Sequence, residues 1–228
     1  KRKDLVINKI RSGQVIIGFE SYGQSTYETE YNSGIGSNGL TMARHELFHH
    51  DYADKYEETY APQIDRKYVY TGKFKVDDNV IIGGRNHPIG KLALSPTRTY
   101  LPVVNEILKN HKESIHGIIH ATGGGHTKVL KYCDAPVHIL KDNLFEVPPI
   151  FDIIQKSTDT SLTEMYKVFN MGTRLELYVD AEAAASIIEI SAIFNIRAQV
   201  IGRVEGSKDN SMSVTVITNT ETLVYQEK

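Results

Sequence analysis

The sequence predicts a mixed α/β fold built in layers. Two observations carry this. From Ser95 onward, apolar runs with strand character alternate with stretches whose apolar residues recur every three or four positions. The composition suits such a fold: 228 residues, 40% hydrophobic and 24% charged, enough for one large domain or one domain plus a partial second. A formal net charge of −2 gives no basic excess of the kind that nucleic acid or an anionic membrane would attract. No apolar run approaches the roughly 18 residues of a membrane span, and KRKDLVINKI lacks the apolar stretch of a signal peptide. The single cysteine, Cys133, cannot form an internal disulfide, which fits a reducing compartment and a cytoplasmic location.

The elements follow in order. Residues 15–19 (VIIGF) form a short β-branched apolar run after Gly13, hence a strand. Residues 21–33 are polar and Tyr-rich with no period, hence a loop. Leu40, Ala43, Leu47 and Phe48 recur at helical spacing, so 38–49 is predicted helical. Residues 51–91 are the least regular part and are expected as an excursion carrying a hairpin of 69–74 against 80–82. Residues 100–109 follow as an amphipathic helix, with Leu101, Val104, Ile107 and Leu108 on one side. Residues 115–121 are an apolar strand, 126–131 a helical stretch and 137–140 a strand. Pro148-Pro149 opens a helix over 150–155, because proline suits a first turn. Ser161 and Glu164 form a capping box before a helix at 162–169. Residues 174–179 alternate as a strand. Asp180 is expected to cap a helix at 181–194. Strands at 199–204 and 213–217, then 223–225, close the chain.

Three patterns carry chemistry. Gly34-Ile35-Gly36-Ser37-Asn38-Gly39 has G-x-G-x-x-G spacing, but YETEYNS before it is not the strand a dinucleotide fold needs. Ahead of a helix, its backbone N–H groups, with Ser37 and Asn38, still suit an anion. His45-Glu46-Leu47-Phe48-His49 has the H-E-x-x-H spacing of zinc peptidases, which needs both imidazoles on one helix face and a third ligand. Glu57 and Glu58 are available as a third ligand but sit in an irregular acidic stretch, and the competing explanation is a polar helix end. The third pattern is IHGIIHATGGGH. Strand alternation puts His116, Ile118 and His120 on one face, ending at Thr122, Gly123, Gly124 and Gly125. Three successive glycines cost chain entropy and point to close approach by a ligand or another backbone.

Together, GQVIIGFESYG, NSGIGSNGLTMAR, LSPTRTYLPVV, IHGIIHATGGG, NLFEVPPIFDIIQ, EMYKVFNMG and AQVIGRVEG resemble, in order, the phosphoribosylformylglycinamidine cyclo-ligase (aminoimidazole ribonucleotide synthetase) family. The resemblance implies its C-terminal domain, a layered α/β/α unit distantly related to ferredoxin-like folds. Residues 1–20 would be the tail of a missing N-terminal ATP domain and its junction, 21–228 the C-terminal domain, and 51–91 an insertion. A chain isolated by truncation or proteolysis in this way would be inactive alone. The family's reaction, a ligase step of purine (IMP) biosynthesis, uses ATP to activate the amide oxygen of formylglycinamidine ribonucleotide, and an internal amidine nitrogen then closes the ring.

ATP and Mg2+ would bind mainly in the absent domain, and no metal ligands are assigned here. The implied partners are the small ribonucleotide substrate and, for the full-length enzyme, a second copy in a homodimer, with no nucleic acid or membrane. His120 is the candidate proton-handling or polarising group, with His116 behind it. The phosphate-binding candidates are Gly34, Gly36, Gly39, Thr122, Gly123, Gly124, Gly125 and Arg98. Ser37, Asn38, Thr97 and Asn170 are orienting donors. The sequence departs from the family's pattern at Gly36, where histidine usually stands, at Thr173-Arg174, where a further glycine is common, and at HTKVLKY, which lacks an asparagine–proline segment. Other ATP enzymes of the superfamily, such as formylglycinamidine synthetases, remain the alternative.

Overall fold

A computed structural model describes residues 5–37 and 39–226. A seven-stranded sheet runs through the molecule in the order β4-β6-β1-β7-β5-β8-β9. The strands are β1 (Val15–Glu20), β4 (Ile115–His120), β5 (Val137–Lys141), β6 (Thr173–Val179), β7 (Ala198–Gly206), β8 (Ser213–Ile217) and β9 (Thr222–Gln226). All neighbours are antiparallel except β5 and β8. Residues 15–20, assigned from the resemblance to the interdomain junction, form an inner strand between β6 and β7.

Strand alternation divides the apolar side chains between two cores. Ile17, Phe19, Leu175, Leu177 and Val179 pack with Val103 and Ile107 of α4 (Leu101–His111) and Ile187 of α7 (Ala184–Ile193). On the other face, Ile16, Tyr178 and Ile201 pack with Leu47 of α1 (Leu40–Leu47), Ile154 of α5 (Pro149–Thr158) and Met165 of α6 (Leu162–Val168). The result is the expected three-layer α/β/α arrangement. Each fully buried branched side chain contributes about 1.5–3 kcal/mol. Within α4 the buried positions are Val103 and Ile107, with Val104 and Leu108 packed against the same core, while Leu101 is 64% exposed, so the apolar stripe is turned by no more than about a quarter of a helical turn from the one expected.

Several local expectations are refined. Ser161 Oγ accepts from Glu164 N–H at 3.3 Å, as a capping residue should, but the Glu164 carboxylate pairs with Lys167. The helix opened by the prolines extends to Thr158. Residues 181–183 form a single 3-10 turn before α7, and Asp180 makes no side-chain cap, because His116 Nε2 donates to its carboxylate at 2.8 Å.

The excursion after α1 holds α2 (Asp51–Lys55), a hairpin and α3 (Ile89–Ala93). The hairpin is not 69–74 against 80–82. It joins β2 (Asn79–Ile82) to β3 (Arg85–Pro88) through Gly83-Gly84, whose φ values of 56° and 76° suit a two-residue turn that twists with its strands. Phe74 and Gly72 instead bridge to Phe48 and His49 at the end of α1. At the other end of the main sheet, the N-terminal segment covers the outer edge of β4: Lys9 N–H donates to His116 O at 2.6 Å, and Asn8 Oδ1 accepts from Ile118 N–H at 3.0 Å.

Candidate functional site

The first glycine loop runs from the end of the polar segment into α1. Much of its hydrogen bonding is internal. Gly34 N–H donates to Asn32 Oδ1, Ile35 N–H to Ser33 Oγ and Ser37 N–H to Thr97 Oγ1. Asn170 follows Phe169 and orients the loop rather than a ligand: its Nδ2 donates to Gly34 O at 2.9 Å, and its Oδ1 accepts from Gly172 N–H. Gly39 adopts φ 61° ahead of α1, against the Phe169 ring. Asn38 lies outside the described residues.

The second loop leaves β4 beside the first. The N–H groups of Gly123, Gly124 and Gly125 have no protein acceptor among the described residues, so this is the freer cradle of the two. Gly125 is wedged against Tyr166 O and Phe169 O, where a Cβ would sit 2.3 and 2.5 Å from them. A 3-10 stretch, Gly125–Lys131, then carries Lys128, whose Nζ donates to Thr122 Oγ1 at 3.1 Å. Burial, and the nearby charges of Lys131 and Arg174, lower the Lys128 pKa.

His120 ends β4 with its ring edge-on to Tyr100 at 5.9 Å. Its Nε2 is buried without a partner among the described residues. Burial first, then Arg174 and Lys128, push its pKa down to about 4, so the imidazole is neutral at pH 7. A neutral imidazole amid cations can give or take one hydrogen bond without adding charge.

The residue that joins these pieces is Arg174 of β6, which the sequence reading passed over. It is 1% exposed. Its Nη2 donates to Gly34 O at 2.7 Å and Ile35 O at 2.9 Å, and its Nη1 to Ala121 O at 3.4 Å. Burial lowers its pKa, yet a guanidinium keeps its proton in proteins. Two residues along the strand, Glu176 is buried against Lys141 and accepts from Tyr178 Oη at 2.8 Å. Lys141 also donates to His126 O, and His126 Nε2 donates to Asn170 O at 3.0 Å, so a buried polar chain runs behind both loops. The signal in the sequence was R-x-E-x-Y on a strand with both faces covered, where alternating polar side chains must find partners inside.

Other predicted residues fall elsewhere. Arg98 is fully buried, but its guanidinium is taken by the Glu28 carboxylate, at 2.9 and 2.8 Å, and by Glu20 O. No fork remains for a phosphate. His116 lies at the opposite end of β4 from His120, held by Asp180. The zinc-peptidase geometry does not form, because α1 ends at Leu47 and Phe48 turns extended with ψ 149°, leaving His49 off the helix. His45 is buried, its Nδ1 accepting from Tyr70 N–H and its ring 4.9 Å from that of Tyr70. Two large depressions lie beside the first glycine loop, reaching its flanking residues Asn32 and Leu40. One, of about 620 Å³, lies between Tyr27, Tyr31 and His87, and an apolar groove of about 850 Å³ lies between Leu40, Phe48 and Leu94. Neither is lined by His120, Arg174 or the second loop.

Known proteins resemble this chain as follows. It is 32% identical over 208 residues to the phosphoribosylformylglycinamidine cyclo-ligase of Methanocaldococcus jannaschii, covering 91% of this chain and 49% of that protein. It is 33% identical over 227 residues to the enzyme of that name from Methanococcus maripaludis, covering 99% and 53%. The chain thus spans about half the length of the curated relatives it matches. Among solved structures, phosphoribosylformylglycinamidine synthase II of Thermotoga maritima superposes with a TM-score of 0.49 at 13% identity, covering 98% of this chain and 27% of that one. Residues 11–215 match the family described as AIR synthase related protein, C-terminal domain, and the chain belongs to that family.

Proposed function

We propose that this chain is the substrate-side domain of an ATP-dependent cyclo-ligase of de novo purine biosynthesis, converting formylglycinamidine ribonucleotide to aminoimidazole ribonucleotide. The observation that carries this reading is the meeting of two glycine loops at a buried guanidinium, with the neutral His120 beside them. The N–H groups of Gly123–Gly125, with Lys128 near, would hold the ribonucleotide phosphate. The Ser37 and Thr97 hydroxyls, 3.4 Å apart, and the Thr122 hydroxyl would orient the substrate.

The reaction consumes ATP, transfers its terminal phosphoryl group to the amide oxygen, and expels phosphate as the amidine nitrogen attacks. That nitrogen must lose a proton. His120 Nε2 would accept it or polarise the amide, and a phosphate held alongside would raise its pKa toward neutrality. Among the described residues no three His, Cys, Asp or Glu side chains stand close enough to hold a metal ion. By the family resemblance, Mg-ATP, which would supply the phosphoryl group and offset its charge, is assigned to another part of the full-length protein. That protein would be a cytoplasmic homodimer, and this chain alone would be inactive.

A second reading, a formylglycinamidine synthetase-like enzyme of the same superfamily, stays open because Gly36 departs from the cyclo-ligase pattern implied by the resemblance. One assay separates them. Full-length protein carrying this chain, given formylglycinamidine ribonucleotide and Mg-ATP, is expected to form aminoimidazole ribonucleotide and ADP in equal amounts. His120→Ala should lower kcat at least ~10-fold, the equivalent of about 1.4 kcal/mol. ADP formation only with formylglycinamide ribonucleotide and ammonia would favour the second reading, and formation with neither substrate would remove both.

A further inference from the structure

Gly36 and Arg174 come from distant parts of the chain. In space they meet. Gly36 has φ +53°, and a Cβ built on it would lie 2.6 Å from Arg174 Nη2 and 2.7 Å from Thr97 Oγ1. Such distances are well inside van der Waals contact, so a side chain at 36 and the guanidinium compete for one space. Arg174 cannot readily retreat. It is buried, and its three acceptors are backbone carbonyls drawn from both glycine loops, Gly34 and Ile35 from the first and Ala121 from the second. Its Nε is buried without a partner, and no carboxylate pairs with it among the described residues. A buried cation solvated only by carbonyl dipoles leaves net positive potential around it. The planar fork also suits the task, since it donates in two fixed directions at once where an ammonium cannot.

We infer that Gly36 and Arg174 form one coupled unit, in which the guanidinium fills the space that a side chain at position 36 would occupy and staples the two glycine loops into a single cradle. Arg174 is here a positioning residue. It sets the loops' spacing and the local potential rather than touching a ligand. The role in anion binding rests on the proposed function, whereas the coupling stands apart from it.

A double-mutant cycle tests the coupling without any ligand. Asparagine tolerates the left-handed region, so Gly36→Asn isolates the steric conflict from most of the backbone strain. On thermal unfolding, Gly36→Asn alone is expected to lower Tm by about 4 °C or more, and by less than half as much when Arg174→Ala is already present. Equal losses in both backgrounds would overturn the coupling. Should Arg174→Ala not fold, Arg174→Gln, whose shorter side chain also vacates the guanidinium's space, serves as the second background under the same criterion.

Titration with inorganic phosphate, read from backbone amide resonances of the two loops, tests the stapling. Arg174→Lys keeps the charge but loses the fork, and should weaken phosphate at least ~10-fold while Tm falls only modestly. Unchanged phosphate affinity in this variant overturns the stapling role. If the unaltered chain shows no phosphate response, the anion reading of the loops falls, and the coupling is decided by the thermal cycle alone.

Discussion

His120 is a histidine made unusually acidic by its position. Its ring end lies in a partly closed space near two cations, so protonation is opposed by burial and by repulsion together. Its C–H resonances should titrate near pH 4, and a midpoint at 6 or above would remove it as a neutral group. The sign for stability follows from linkage. Because the folded value lies below the ordinary 6.5, the stabilisation is complete above that pH and drains away as pH falls from 6.5 toward 4. The place of His120 was legible in the sequence, at the end of a strand running into three glycines. Arg174 was not. Alternation along 174–179 marked only a strand, and that β6 is the second of seven strands and buried along its whole length emerges only from the fold. Arg98 erred the other way: its guanidinium looked free in the sequence, and only the fold brings Glu28 to it.

Among the elements, α1 shows how far a pattern can mislead. Its periodic apolar residues predicted a helix through 49, but the chain turns extended at Phe48, where residues 72–74 pair with it. That pairing also explains the misplaced hairpin. Residues 69–74 are apolar enough to look like a strand of their own, yet their partner is the end of a helix, a contact that no local periodicity encodes. By contrast, the Gly83-Gly84 turn was written in the sequence and overlooked. The helix carries one buried liability. Burial raises the Glu46 carboxyl to about 7, and its Oε2 has no partner among the described residues. The folded state therefore holds that proton where the unfolded chain has lost it, so its stabilising effect is present at low pH and lost as pH rises from 4.5 toward 7. Glu46→Gln should raise Tm relative to the parent at pH 8 and change it little at pH 5; the same shift at both values would contradict the titration argument.

At the scale of the whole molecule, the α/β/α layering and most of the strands were readable because apolar period follows backbone geometry. Strand order was not, since a mostly antiparallel sheet with one parallel pair, β5 beside β8, depends on which distant segments meet. The interior is held in register partly by the Lys141–Glu176 pair, both side chains at most 2% exposed. Removing one member strands a buried charge. Lys141→Met should cost about 3–5 kcal/mol in urea unfolding, whereas Lys141→Met with Glu176→Leu should recover much of that. A double variant no more stable than the single one would show that the pair contributes more than the cost of burying it. The strap formed by Asn8 and Lys9 has a practical consequence for anyone preparing this domain. The family match begins at residue 11, so a chain trimmed to that boundary would bare the outer rim of β4, with its Ile118 N–H and His116 carbonyl open to a neighbour. Poor solubility of such a preparation would then reflect the cut rather than the domain.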